Sequence, residues 1–350
     1  KNKSNENYFH EILCLDSINP NAKKFLEEES LQYTDSCYKD IKFTLNKISK
    51  TDIVVIHWWN HPFLYDFLIR NELPPCRLIF WSHVSGESAP NIFTNNVLDY
   101  PDLFVFTTPM SYLDEKVLQY DDKSKFQDIW STAGVNYTKN VEYKEHEDFI
   151  VGYIGTVDYA KIHPNFINIC AKINIPNIKF IICGEGSSLD DMRKDVKNMG
   201  LEKKFIFTGY VQDITLHLSQ FDVFGYPLNS NHYGTCDQVL AEAMSCGIVP
   251  VVFNNNMESY MVHNLYSGFV VNNEDEYIEK IFTLYQNRTL KYRLGRNAKN
   301  EAISKFSIKH TIDNWEKLFN QILNKDKTAK IWKKNYPGIL TSIDIFYESI

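Results

Sequence analysis

The run from Tyr233 to Met244 carries residue types suited to chemistry at close quarters. Gly234 has no Cβ, so backbone there can approach a ligand closely. Thr235 with Gln238 three residues later fits a capping box and predicts a helix beginning at this point. The unpaired N–H groups of such a helix start, with its dipole, suit a diphosphate. Glu242 lies further in, roughly 9 Å along the axis at about 1.5 Å rise per residue. A carboxylate at that distance from a phosphate can accept hydrogen bonds from ribose hydroxyls. The plain structural alternative is a capped helix whose glutamate faces water. Gln238 and Glu242 share one helix face, while Val239, Leu240, Ala243 and Met244 form the buried one.

Two other loops gather reactive side chains. His57, Trp58 and Asn60 follow the apolar run Ile53–Ile56, and His83 and Glu87 follow Arg77–Trp81. These runs read as strands alternating with helical patterns, which predicts a parallel sheet. Ligands of such sheets sit beyond the carboxyl ends of the strands, where both loops fall. Their alternative role is aromatic cover for the sheet edge.

The elements that must position these residues set the scale. A chain of 350 residues exceeds what one core usually supports, so two domains are expected. A net charge of −7 excludes a general attraction to nucleic acid. Seven cysteines without a CxxC spacing fit reduced thiols in a cytoplasmic protein and give no metal site. No apolar run is long enough to span a bilayer. From Phe149 a second series of alternating strands and helices begins. The expected fold class is α/β, with two Rossmann-like doubly wound domains facing a central cleft. Their boundaries are 1–135 for the first domain, 136–148 for a polar linker and 149–308 for the second. Residues 309–350 form a helix and tail that pack back on the first domain or reach a partner. The lysines at 325–334 make residues 323–350 the candidate for contact with a partner protein or the inner face of a membrane.

Residues 149–306 resemble the nucleotide-sugar-binding domain of retaining glycosyltransferases of the GT-B architecture, family 4 (group 1) type. The likeness is carried by Gly152-Tyr153-Ile154-Gly155, Cys183-Gly184-Glu185-Gly186, Phe205–Val211, Asp222–Pro227, Glu242-Ala243-Met244 and Ser267–Val271, in that order. In the first half, Asp52–His57, His83 and Ala133-Gly134-Val135-Asn136 are similar to the acceptor domain of that family.

The resemblance implies a sugar transfer from a nucleotide-diphosphate donor, UDP- or GDP-linked, to a glycan or lipid-linked acceptor, with retained configuration. It implies no cofactor and no metal. Glu242 would hold the ribose, Val211 would touch the base through its backbone, and Gly184 and Gly186 would leave room for the nucleotide. Lys161 would meet the diphosphate beside Gly155, with the N–H groups of 234–238, including Cys236, assisting the leaving group. His232 and Tyr233 would border the donor sugar. His57, Trp58, Asn60, His83 and Glu87 would line the acceptor side, His83 orienting the sugar. Two departures stand out. Thr156 occupies the place of a common arginine, and Gly234 stands eight before Glu242, where the family often has a first glutamate. Asp237 is the nearest acid but lies on another helical face. A non-catalytic nucleotide- or glycan-binding scaffold and a nucleotide-sugar isomerase therefore stay open.

Overall fold

The computed structural model describes residues 8–87, 92–232, 234–333, 341 and 343–344. The chain divides into two compact units, Lys1–Ile129 with Ile312–Ile350, and Trp130–Thr311.

The first unit starts with β1 (Ile12–Leu13), α1 (Pro20–Glu28) and β2 (Tyr33–Thr34), the two strands pairing in parallel. Asp40 caps α2 (Ile41–Lys50) by accepting the Phe43 N–H at 2.9 Å. β3 (Val54–Trp58), α3 (Pro62–Arg70), β4 (Leu73–Cys76) and β5 (Leu78–Ser82) follow. Next come α4 (Asn95–Asp99), β6 (Leu103–Phe106), α5 (Glu115–Gln119) and β7 (Phe126–Asp128). Strands β3, β5, β6 and β7 lie side by side in chain order, all parallel. Side chains alternate across a strand, so Trp58, Phe80, Phe104 and Phe106 meet Tyr65 and Leu68 of α3 and Val97 and Leu98 of α4 on one face.

The second unit opens with α6 (Val135–Thr138), where the sequence predicted a linker. Val135 and Thr138 are buried because this short helix packs on the helix carrying Glu242, and the Thr138 hydroxyl lies 2.5 Å from that of Ser245. Then come β8 (Phe149–Ile154), α7 (Phe166–Ala171), β9 (Ile178–Cys183), α8 (Leu189–Asn198) and β10 (Phe205–Gly209). They are followed by α9 (Thr215–Leu218), β11 (Val223–Tyr226), α10 (Gln238–Ser245) and β12 (Val249–Phe253). The unit closes with α11 (Asn256–Met261), β13 (Phe269–Val271), α12 (Glu274–Gln286) and α13 (Arg288–Phe306). Its six parallel strands run in the order β10-β9-β8-β11-β12-β13. The order reverses between β8 and β11, and a doubly wound sheet places its ligand crevice beside such a reversal. Both faces of this sheet are covered, which is why β8, β11 and β12 are buried along their whole length and read as near-continuous apolar runs.

The chain then returns to the first unit. Leu318, Phe319 and Ile322 of α14 (Ile308–Leu323) cover Ile79, Leu103 and Val105 on the second face of the first sheet. β14 (Thr328–Lys330) pairs antiparallel with β4. Lys330 reaches Asp102 at 2.6 Å, and Trp332 is buried against Tyr65 and Tyr100. Lys330 and Trp332 are thus used inside the unit and are not free for the outside contact expected of residues 323–350. The rest of that tail, 334–340, 342 and 345–350, lies outside the described residues.

Candidate functional site

Three loops converge at the carboxyl ends of β8, β9 and β11. The loop after β8 is knitted to the loop after β9: Val157 N–H donates to the Glu185 carbonyl at 2.9 Å, and Ser188 N–H to the Val157 carbonyl at 3.2 Å. Gly184 has φ +145°, and a Cβ there would lie 1.8 Å from the Gly155 carbonyl oxygen. A Cβ on Gly186 would lie 2.3 Å from the Val157 carbonyl oxygen. The two glycines thus admit the protein's own backbone, where the sequence reading had them leaving room for a nucleotide. Thr156 accepts the Tyr153 hydroxyl at its carbonyl, 2.8 Å away. Val211 sits half-buried in the loop after β10.

Lys161 is placed by a bridge across the reversal of the sheet. Ile162 pairs with Leu228, and Asn229 N–H donates to the Lys161 carbonyl at 2.8 Å. The ammonium then lies 3.0 Å from Asp237 Oδ1, with both side chains nearly excluded from solvent. Tyr226, at the end of β11, donates its hydroxyl to Asp237 Oδ2 at 2.9 Å. Burial first, then the Asp237 charge, pushes the Tyr226 phenol well above its ordinary value, so it stays a donor.

Asp237, not Thr235, is the N-cap of α10, and it caps through no side-chain hydrogen bond because Lys161 and Tyr226 already hold its carboxylate. The predicted capping box of Thr235 and Gln238 is therefore not formed, and Gln238 is exposed as the first residue of the helix. Cys236 points toward the Ser131 carbonyl, and burial pushes its thiol up to about 12. Tyr233 lies outside the described residues.

His232 precedes this turn. Its Nδ1 accepts the Gly234 N–H at 3.0 Å, and its Nε2 lies 2.9 Å from Glu258, a fully buried carboxylate on α11. Ligand-type atoms of His232, Asp237 and Glu258 lie within 4.8 Å of one another. Lys161 and Tyr226 also meet Asp237, while Glu258 lies against His232 with neither of its oxygens hydrogen-bonded, so the three side chains form a buried charged cluster. Four residues further along α10 than Gln238, Glu242 Oε1 accepts the Gly134 N–H at 2.8 Å. Burial raises the Glu242 carboxyl above its ordinary value, and the Gly134 hydrogen bond opposes that in part.

Sequence reasoning gave no site role to Tyr226, Gly134 or Glu258. Glu258 did leave a signal: it sits between Met257 and Met261 at the spacing of a buried helix face. Gly134 and Tyr226 stood in runs that carry the family likeness, but their partners, Glu242 and Asp237, were not legible from spacing.

In the first unit, β3 and β5 present a ring cluster. His83 is stacked between His57, at 5.1 Å, and Trp59, at 4.8 Å, with Trp81 tilted against it at 4.8 Å. His57 Nδ1 lies 2.9 Å from His83 Nε2. Burial, with the neighbouring His57 a lesser cause, pushes the His83 imidazole down to about 4. Trp58 was expected on the same ligand side but faces the opposite way, stacked on Phe80 in the core, because neighbours along a strand alternate. Asn60 is half-buried and Glu87 exposed in the flanking loops.

Residues 137–301 match the family described as glycosyl transferases group 1. That match covers just under half of the chain. Over 155 residues the chain is 26% identical to the UDP-Gal:α-D-GlcNAc-diphosphoundecaprenol α-1,3-galactosyltransferase of Escherichia coli, a match covering 43% of this chain and 39% of that enzyme. A glycosyltransferase from Rickettsia africae superposes with a TM-score of 0.73 at 13% identity, over 90% of each chain. Anabaena HepE in complex with UDP superposes with a TM-score of 0.70 at 16% identity, over 89% of this chain and 92% of that one. The fold is therefore that of the GT-B glycosyltransferases, two Rossmann-like α/β domains. The matched segment holds Gly155, Lys161, Gly184, His232, Asp237 and Glu242, and no helix among the described residues is long and apolar enough to cross a membrane.

Proposed function

We propose that this protein transfers a sugar from a UDP-linked donor to a hydroxyl of a glycan or lipid-linked acceptor, with retained anomeric configuration. The observation that carries this reading is the position of Lys161 and the start of α10. Both stand at the sheet reversal between β8 and β11, where a doubly wound domain takes its nucleotide. The choice of UDP rests on the E. coli relative, which uses UDP-Gal, and on HepE, which was seen with UDP. The lipid-linked acceptor rests on the diphosphoundecaprenol substrate of the same E. coli enzyme.

The chemistry follows from the groups at hand. The diphosphate leaves with growing negative charge, which the first N–H groups of α10 and the Lys161 ammonium can stabilise. Lys161 must then divide its charge between Asp237 and the ligand. Glu242 offers its second carboxylate oxygen to the pentose hydroxyls while the first stays on Gly134. His83, neutral over the physiological range, can accept or donate a hydrogen bond to a sugar hydroxyl without carrying charge.

The test is incubation with a panel of UDP- and GDP-sugars and simple acceptors, reading nucleotide release and the anomeric proton of the product by NMR. The expected result is release from a UDP-sugar and a product with the anomeric configuration of the donor. An inverted product overturns retention, and failure of every nucleotide sugar to raise the unfolding temperature overturns the donor site. A binding-only role is the second reading, favoured by the internal pairing of both Lys161 and Glu242. It predicts a nucleotide-induced thermal shift without turnover.

A further inference from the structure

The turn that leads into α10 is held by a side chain the transfer chemistry does not require. His232 Nδ1 accepts the Gly234 N–H at 3.0 Å. That contact fixes the tautomer, because a ring nitrogen that accepts a hydrogen bond carries no proton. The proton then sits on Nε2, which faces Glu258 at 2.9 Å. Glu258 is completely buried and His232 nearly so, so the imidazole has little freedom to rotate or to exchange its partners for water. Two residues after Gly234 the chain passes Cys236, anchored toward Ser131, and then Asp237, where α10 begins. The Gly234 bond thus tethers the end of the β11 loop to the backbone that would face the donor diphosphate.

Resting on the donor-site reading above, we propose that His232 is a positioning residue: in its Nε2–H form it clamps the Gly234 turn against Glu258 and so presets the N–H groups at the start of α10 for the nucleotide diphosphate. Protonation of Nδ1 removes the acceptor and turns an attraction into a contact between two N–H groups, releasing the turn. The charged groups facing the ring are Glu258 from α11, Asp237 from the start of α10 and Lys161 from the loop after β8. Burial alone would lower the His232 value. The close Glu258 carboxylate, followed by Asp237, outweighs it and holds the value above 6.5, while Lys161 opposes them. The release therefore occurs as pH falls through a value above that of a free histidine, and donor binding weakens with it.

The experiment compares the wild type, His232→Ala and His232→Asn in UDP-sugar affinity and in the pH profile of donor KM and kcat. The intact diphosphate diester of the donor has no group of its own that titrates near neutrality. An asparagine carbonyl can accept an N–H two residues on, as the histidine does, but it cannot be protonated. The expected result is a donor KM about tenfold higher in His232→Ala with kcat little changed, in keeping with one lost hydrogen bond. His232→Asn should recover most of that affinity and lose the acid fall-off. Glu258→Gln should move the fall-off to lower pH. An asparagine variant as weak as the alanine one, or wild-type affinity that rises as pH falls, overturns the proposal. ¹⁵N NMR of the histidine rings gives a readout independent of turnover. At pH 8 the clamp requires an unprotonated Nδ1 and a protonated Nε2 on His232, and the reverse pattern overturns it. If the wild type binds no nucleotide sugar, the donor-site reading fails while the ring tautomer still decides the clamp.

Discussion

The Glu242 carboxylate and the Gly134 backbone are bound to each other across 108 residues of sequence, with Oε1 accepting the N–H at 2.8 Å. A Cβ on Gly134 would lie 2.5 Å from that oxygen. Gly134 itself has φ −66°, which any residue adopts, so the constraint on it comes from Glu242 alone. Gly134→Ala should therefore displace the carboxylate, cost about 1–3 kcal/mol as the bond is lost and weaken donor binding. Thermal unfolding and nucleotide-sugar titration check both parts. Glu242→Gln should behave differently. Removing a charge that burial disfavours leaves stability at pH 7 no lower than wild type, while affinity for the pentose falls. Unchanged affinity would take Glu242 out of the site.

The Lys161–Asp237 pair offers a way to separate folding from function. Lys161→Met leaves a buried carboxylate with only the Tyr226 hydroxyl, and breaking one side of such a pair costs about 3–5 kcal/mol. The double variant Lys161→Met with Asp237→Asn should regain most of that stability, read by urea unfolding, and still fail to bind the diphosphate. Full donor affinity in the double variant would show that the ammonium serves the fold only.

Gly184 tests the knitting of the loops. Its φ is +145°, and the Gly155 oxygen lies 1.8 Å from where a Cβ would stand, so there is no room for a side chain. Gly184→Ala should destabilise the second unit by about 3 kcal/mol or more. Urea unfolding measures it, and a loss of only ~0.5 kcal/mol, as is usual for surface changes, would show that the two loops can separate.

The His57–His83–Trp59 stack predicts an acid sensitivity. In the unfolded chain His83 takes up a proton as pH falls through 6.5, while the folded imidazole stays neutral down to about 4. Its folded value is lowered, so its contribution to stability is complete above 6.5 and is lost progressively between 6.5 and 4. A His83→Gln variant should lose less stability than wild type across that window when urea midpoints are compared. Parallel slopes would place His83 in contact with water.

The parallel strands were legible in the chain because a strand buried on both faces is an unbroken apolar run, as in Phe149–Ile154 and Val249–Phe253. Helix starts were less legible at the site. Thr235 and Gln238 have the right types for a cap, yet the helix begins at Gln238 because Asp237 is drawn to Lys161 and Tyr226. Local propensity set a preference there, and a contact between distant residues overrode it.

By itself the sequence determined the alternating α/β pattern, the glycines that end β8 and β9, and the spacing that carries Glu242 on α10, since each depends on neighbours a few residues apart. Only the tertiary structure decided which charges face one another: Lys161 on Asp237, His232 on Glu258, Glu242 on Gly134. Those pairings arise where the sheet order reverses and distant loops meet, and the strength of a charge or a hydrogen bond there is set by burial, which no linear spacing encodes.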